Sequence, residues 1–424
     1  MRLPAPGPSR DRAIAALLAL VSAAFRLPRL GFPAEEIFDE VYHAKTALQY
    51  LQGINPTEWV HPPTAKLLIA IGVWIFGYEP WAWRLMPVLA GIALAPVFYR
   101  LARTVLATER AAVLASVILL SDGVYLVQSR TAMTNIFAVC FQLAAALFVV
   151  RAALRPALPV KEMMLAGLFL GLALSTRWTS LFATGFLGLV LLAVRQRRIF
   201  SPRELALTFA TFAALPSALY VLSYVPWMMQ ADPWSSRLRE LPEHTKAVWR
   251  YHANLRATHP YFSSWYTWPW LYRPTWYYFH QDTVPTVTVR GIVALGNPWL
   301  WWSSVFVTLW AVITGARARD ARRLFCGLGF LFLYLPWGIS PRTLNYGHYL
   351  FEAIPYACLS LGILLDAHWD GARRGLARGF LALVVVTFLF FYPFLTALPV
   401  PGPWYYFNFW GSPIRPWTWF TTWV

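Results

Sequence analysis

The chain has 424 residues, of which 58% are hydrophobic, 17% aromatic and only 13% charged. A soluble domain carries about 25% charged residues, so a water-soluble enzyme is excluded and a polytopic membrane protein is expected. The formal net charge is +17, but the lysines and arginines gather in short clusters between apolar runs. That pattern sets membrane orientation and does not build a nucleic-acid-binding surface.

The first apolar run, about 13–30, follows Arg2, Arg10 and Arg12 and lacks a small-residue cleavage site, so it reads as a retained span. Further runs lie near 84–101, 111–128, 133–150, 162–176, 179–194, 205–225, 292–315, 325–340, 346–365 and 379–398, which makes eleven. Between them sit five basic clusters: Arg100/Arg103/Arg110, Arg151/Arg155/Lys161, Arg195/Arg197/Arg198/Arg203, Arg317/Arg319/Arg322/Arg323 and Arg373/Arg374/Arg378. Cytoplasmic loops collect Lys and Arg. Keeping all five inside requires the stretch 162–194 to cross twice, as a hairpin with Arg177 and Trp178 at its outer tip. The expectation is an all-α, single-domain membrane protein over 1–424 with eleven transmembrane helices, N-terminus cytoplasmic and C-terminus extracytoplasmic. Its long outer segments are about 32–83 and 226–290, with an outer tail from about 399. Cys140, Cys326 and Cys358 lie inside apolar runs and offer neither metal-ligand spacing nor a disulfide framework.

Ionisable groups at membrane depth are costly and mark function. The first outer segment concentrates Glu35, Glu36, Asp39, Glu40, His43, Lys45, His61, Lys66 and Arg84. Val41, Ala44, Leu48 and Leu51 follow Asp39 at helical spacing, so a helix along the membrane surface is expected. Asp39 then reads either as that helix's N-cap or as a catalytic carboxylate at the water–lipid boundary. His61-Pro62-Pro63 opens a second apolar stretch, 66–76, too short to span. Arg84, Arg130, Arg177 and Arg342 each fall at the outer end of a span, against the charge trend. They either snorkel to headgroups or form a guanidinium ring around a phosphate. The segment 261–280 holds eleven Phe, Tyr or Trp in twenty residues, either an interfacial belt or a sugar-stacking surface. No Gly-rich phosphate loop, HExxH, zinc spacing or GxSxG occurs.

Several stretches resemble the protein O-mannosyltransferase family, lipid-linked-sugar glycosyltransferases of the GT-C type, in its short bacterial form. They are FDEVYHAKTALQYL (38–51), WVHPPTAKLLIAIGVWIFG (59–77), WRLMPVLAGIALAPVFYRLAR (83–103), SDGVYLVQSRTAMTNIF (121–137), STRWTSLF (175–182), HPYFSSWYTWPWLYRPTWYYF (259–279), ALGNPWLWW (294–302), PRTLNYGHYLFEAIPY (341–356) and YPFLTALPVP (392–401). The resemblance implies transfer of mannose, with inversion, from a polyprenyl-phosphate carrier to Ser or Thr hydroxyls of exported proteins met at the secretion machinery. It implies that Asp39 is the general base, that Glu40 helps shape the acceptor site and that Arg84 is required for activity. Arg130, Arg177, Arg342, His348 and Tyr349 would line the donor-phosphate pocket, and His61 and Lys66 join them as candidate substrate-binding residues.

A hydroxyl is a weak nucleophile whose proton a positioned carboxylate can take. The leaving group is a phosphate monoester whose charge arginines can hold, so no essential metal or other cofactor is expected. The cell membrane, with the site on its extracytoplasmic face, is the expected location. The family often carries an acid after the SR motif where this chain has Met133-Thr134-Asn135, and Asp122 is the carboxylate expected to serve in its place. The other readings are a GT-C transferase acting on a lipid or glycan, and a lipid-linked-sugar transporter without chemistry.

Overall fold

A computed structural model describes residues 8–196, 199–408, 411–412 and 414–423, so Arg2, Arg197 and Arg198 lie outside the described residues. In chain order the helices are α1 (Pro8–Arg26), α2 (Glu40–Leu51), α3 (Thr64–Phe76), α4 (Pro80–Val105), α5 (Glu109–Leu120), α6 (Gly123–Arg130) and α7 (Asn135–Ala153). There follow α8 (Val160–Leu174), α9 (Ser180–Arg195), α10 (Pro202–Phe209), α11 (Leu215–Ser223), α12 (Val225–Met228) and α13 (Trp234–Asn254). Then come α14 (Pro298–Ala318), α15 (Ala321–Tyr334), α16 (Ile354–His368), α17 (Arg374–Thr396) and the short α18 (Gly402–Tyr405).

Each apolar run expected to span carries a helix over most of its length, with α5–α6 serving as one bent rod and α10–α11 as another joined through a π-helical turn. Among the described residues, five helical rods are long and apolar enough to cross a membrane by themselves, and the α5–α6 pair, bent by 61°, makes a sixth. The expected hairpin at 162–194 is present: α8 and α9 pack together and Arg177 sits in the turn between them.

The bend in α5–α6 has a local cause. Asp122 caps α6 by accepting from Tyr125 N at 2.9 Å, and its other oxygen takes Asn297 N at 3.0 Å and Trp301 Nε1 at 2.7 Å. Gly123 leaves room for the Leu295 carbonyl, which stands 2.2 Å from where a Cβ would be. Asp122 is therefore a fully engaged brace and does not supply the second carboxylate considered from the sequence.

The expectation of an all-α protein needs correction. Strands β1 (Thr275–Asp282) and β2 (Thr288–Ala294) pair antiparallel, with Thr275 opposite Ala294 and Asp282 opposite Thr288, and β3 (Val400–Pro401) adds to β2. The run expected to span from about 292 thus begins as strand, because Val289, Ile292 and Val293 are β-branched. The helix starts only where Asn297 caps Trp299 N and Pro298 occupies the first turn. The aromatic segment is likewise divided: Trp268, Trp276 and Tyr277 are core, whereas Tyr266, Trp270 and Phe279 are exposed.

Helix α7 lies at the centre against α4, α8 and α9. Of its apolar window 83% is buried inside the protein, against 11% for the α10–α11 rod. Arg103, Arg151 and Arg195, from three of the five basic clusters, fall at the ends of α4, α7 and α9 opposite to Arg84, Asn135 and Ser180. There Arg103 pairs with Asp11, Arg110 with Asp366 and Asp370, and Arg195 with Glu204.

Candidate active site

Asp39 stands at the N-cap position of α2, but its side chain makes no capping bond. The residue before it, Phe38, has φ +48°. A non-glycine residue in that region costs roughly 1–2 kcal/mol, and packing holds it there. The Phe38 ring stacks on Tyr277 at 4.3 Å and meets His259, Tyr346 and His348 edge-on. The strained residue turns the chain so that Asp39 stays free of α2. Burial raises the Asp39 carboxyl above its ordinary value and Glu58 adds to this, while the charges of His43, Arg177 and Arg342 oppose it.

Glu40, next in sequence, has the opposite fate. It is fully buried and pairs with Arg84 through Nε at 2.8 Å and Nη2 at 2.7 Å. Its oxygens also accept Ile37 N at 3.1 Å and Ala132 N at 2.9 Å. Arg84 donates its remaining N–H groups to the carbonyls of Leu30, Pro33 and Glu35 at 3.2, 2.7 and 3.0 Å. Neither residue reaches solvent, so both position the loop that carries Asp39, and the catalytic part expected of Glu40 and Arg84 is a positioning one.

The four outer arginines do not form one ring. Arg177 and Arg342 lie over the same ring, Tyr349, with guanidinium carbons 5.3 and 5.9 Å from its centroid. Arg177 Nη1 donates to Asn135 Oδ1 at 2.9 Å and Thr134 Oγ1 at 3.2 Å, and its Nε has no hydrogen-bond partner. Glu352 stands 3.6 Å from that Nε. Arg342 Nη1 donates to His252 Nδ1 at 3.1 Å, and its Nη2 approaches the Tyr349 hydroxyl at 3.4 Å. His252 donates its single N–H, on Nε2, to the Val60 carbonyl at 2.8 Å. Burial pushes His252 down to about 4, so it is a neutral link. His348 is buried between Phe38 and Tyr349, and its Nδ1 has no partner.

Arg130 belongs elsewhere. It donates to the Arg26 and Arg29 carbonyls, in a basic group with Arg26, Arg29 and Arg84. Lys66 is also withdrawn: its ammonium is buried and bonded to the Glu58 carboxylate and to the carbonyls of Glu58 and His61. Asp39, His61, Arg177, Arg342, His348 and Tyr349 are brought together, while Glu40, Lys66, Arg84 and Arg130 stand behind them. Sequence reasoning missed Glu58, His252 and Glu352. Only the first left a trace, as an acid three residues before His61 and eight before Lys66.

The helical bundle brings the uncapped Asp39 carboxyl under the charges of Arg177 and Arg342, and its fold is that of solved membrane glycosyltransferases of the GT-C type. The yeast protein O-mannosyltransferase Pmt1–Pmt2 complex bound to the sugar donor superposes with a TM-score of 0.81 over 93% of this chain and 91% of its own, at 15% identity. ArnT from Cupriavidus metallidurans bound to undecaprenyl phosphate gives 0.56 over 89% of this chain and 62% of its own, at 20% identity.

Family models match at 16–83 and 60–224, both described as dolichyl-phosphate-mannose-protein mannosyltransferase, and at 237–411, the C-terminal four-transmembrane region of protein-O-mannosyltransferase. A polyprenol-phosphate-mannose--protein mannosyltransferase of Mycolicibacterium smegmatis is 30% identical over 92% of this chain and 90% of its own length. Its Mycobacterium tuberculosis counterpart is 29% identical over 91% and 87%. The chain belongs to the protein O-mannosyltransferase family.

Proposed function

We propose that the protein transfers a mannosyl group from a polyprenyl-phosphate carrier to Ser or Thr hydroxyls of proteins emerging from the secretion machinery. The observation that carries this reading is the Asp39 carboxylate, left without a capping bond at the head of α2 and under the charges of Arg177 and Arg342. In a single displacement the acceptor hydroxyl gives its proton to Asp39 as its oxygen bonds to the anomeric carbon. The bond from that carbon to the phosphate oxygen breaks on the opposite side, so configuration inverts. Polyprenyl phosphate leaves with the electron pair. Arg177 and Arg342 receive the growing phosphate charge, which is worth more to them in a site that excludes water. Tyr349 holds both guanidiniums in place. With two cations at the leaving group, we assign no essential metal, and the rate is expected to be unchanged on chelation with EDTA.

We assign the site to the extracytoplasmic face of the cell membrane, with eleven crossings and a cytoplasmic N-terminus. The placing of Arg103, Arg151 and Arg195 at the opposite helix ends supports this orientation.

The test is purified enzyme with polyprenyl-phosphate-mannose and a labelled Ser/Thr peptide. Asp39→Asn lowers transfer about 1,000-fold, the scale of a lost general base, and keeps donor binding. Because the fold raises the Asp39 carboxyl, an ionised Asp39 costs stability near neutrality; Asp39→Asn therefore melts at higher temperature than the parent. Absence of peptide labelling by the unaltered enzyme, or full activity of Asp39→Asn, removes the reading.

A further inference from the structure

His61 is set apart by the nitrogen it leaves unused. Glu58 Oε1 accepts both the main-chain N–H of His61 at 3.0 Å and its Nδ1 at 2.8 Å. A carboxylate only accepts, so the imidazole proton sits on Nδ1. Glu58 cannot turn away. Lys66 grips its carboxylate and the carbonyls of Glu58 and His61, and Thr46 Oγ1 accepts the Glu58 N–H at 3.2 Å. Burial alone would raise the Glu58 carboxyl, but Lys66 and His61 hold it well below the usual range, so it remains a carboxylate. Pro62 and Pro63 follow, and His252 fastens the Val60 carbonyl on the other side. The loop is preorganised around one ring.

That ring is 22% exposed, and its Nε2 has no hydrogen-bond partner among the described residues. Burial, against the pull of Glu58, brings His61 down to about 3. At any working pH, Nε2 is therefore a bare lone pair. It can accept a hydrogen bond and cannot donate one.

A phosphate oxygen is also an acceptor, so of the substrate-binding parts open to His61, holding the donor phosphate is chemically unavailable. Donors to an anion come instead from Arg177 and Arg342. The proton of the reacting acceptor hydroxyl goes to Asp39. The hydroxyls that remain to be met are those of the transferred hexose. We infer that His61 Nε2, aimed by Glu58, accepts a hydrogen bond from a hydroxyl of the donor's sugar and helps to decide which hexose is transferred. This rests on the mannosyl-transfer reading above.

The experiment compares polyprenyl-phosphate-mannose with its 2-, 3-, 4- and 6-deoxy analogues, using the full-length enzyme and one peptide. In the unaltered enzyme, one analogue is used about 10-fold less efficiently, the scale of one lost hydrogen bond. In His61→Ala the intact donor falls to that analogue's level and the difference between the two disappears. Sugar-free polyprenyl phosphate binds His61→Ala as it binds the parent, which also reports on folding. His61→Gln, which keeps an acceptor oxygen, regains part of the discrimination; His61→Lys does not. The inference is overturned by any of three results: no analogue is penalised in the unaltered enzyme; the penalty persists undiminished in His61→Ala; or polyprenyl phosphate binding falls together with transfer. Failure of the unaltered enzyme to use the intact donor would instead overturn mannosyl transfer itself.

Discussion

Arg84 has five N–H groups, and all five find oxygen within the protein. Lysine has three, so Arg84→Lys leaves the Glu40 carboxylate half-met and main-chain carbonyls of the 30–35 loop without donors. The expected loss is about 3 kcal/mol, since a buried charge is left incompletely paired; thermal melting in detergent reads it directly. Donor affinity measured below the new melting point stays near the parent value, because Arg84 does not face the phosphate. The rate falls, because Asp39 is held by the loop that Arg84 fastens. A phosphate ligand would behave in the reverse way, losing affinity first. Residue type told from the sequence that Asp39 and the arginines were chemically apt. It could not tell that neighbours Asp39 and Glu40 separate into an open and a buried environment, since that division depends on the left-handed turn at Phe38.

The helices meet where their side chains are smallest. Gly91 of α4 presents its carbonyl to the Tyr125 hydroxyl and to Ser22 Oγ, the latter at 3.3 Å, and a Cβ there would stand 2.4 Å from Ser129 Cβ. Gly91→Ala forces α4 and α6 apart and disturbs the Arg26–Ser129 bond of 2.8 Å. Overpacking of this kind costs about 1–3 kcal/mol, so a lowered melting temperature is expected, with donor and peptide KM changing less than the melting point. At this scale the sequence was most legible. Apolar runs and basic clusters located the helical rods and the α8–α9 hairpin, because length and charge are local properties. The sheet was hidden because an apolar β-branched run next to a helix has no periodicity of its own. The division of the arginines was hidden because the outer end of a span says nothing about which face of the helix a residue occupies. The Glu58–His61–Lys66 set was nearest to being found, as its members fall within nine residues.

Taken whole, the molecule should tolerate alkali better than acid. His61 and His252 have folded values of about 3 and 4, below the ordinary histidine value of about 6.5. A depressed histidine contributes stability that is lost as pH falls from its unfolded towards its folded value. Glu58, held well below the usual carboxylate range, acts in the same direction at lower pH. Asp39 acts in the opposite direction, since its raised carboxyl favours the protonated fold. Melting temperature is therefore expected to decline steadily below about pH 6.5, as a series of thermal scans would register; a flat profile down to pH 4 would contradict the neutral-histidine arrangement. The contrast between an almost lipid-free α7 and a nearly naked α10–α11 rod has its own outcome. When the hydrocarbon thickness of the surrounding bilayer changes, the rods at the rim meet the mismatch and tilt. The rod whose first residue, Asn135, meets Arg177 is shielded from it. Reaction geometry is thereby insulated from lipid composition, and such an enzyme can work in thin and thick membranes with its chemistry unchanged.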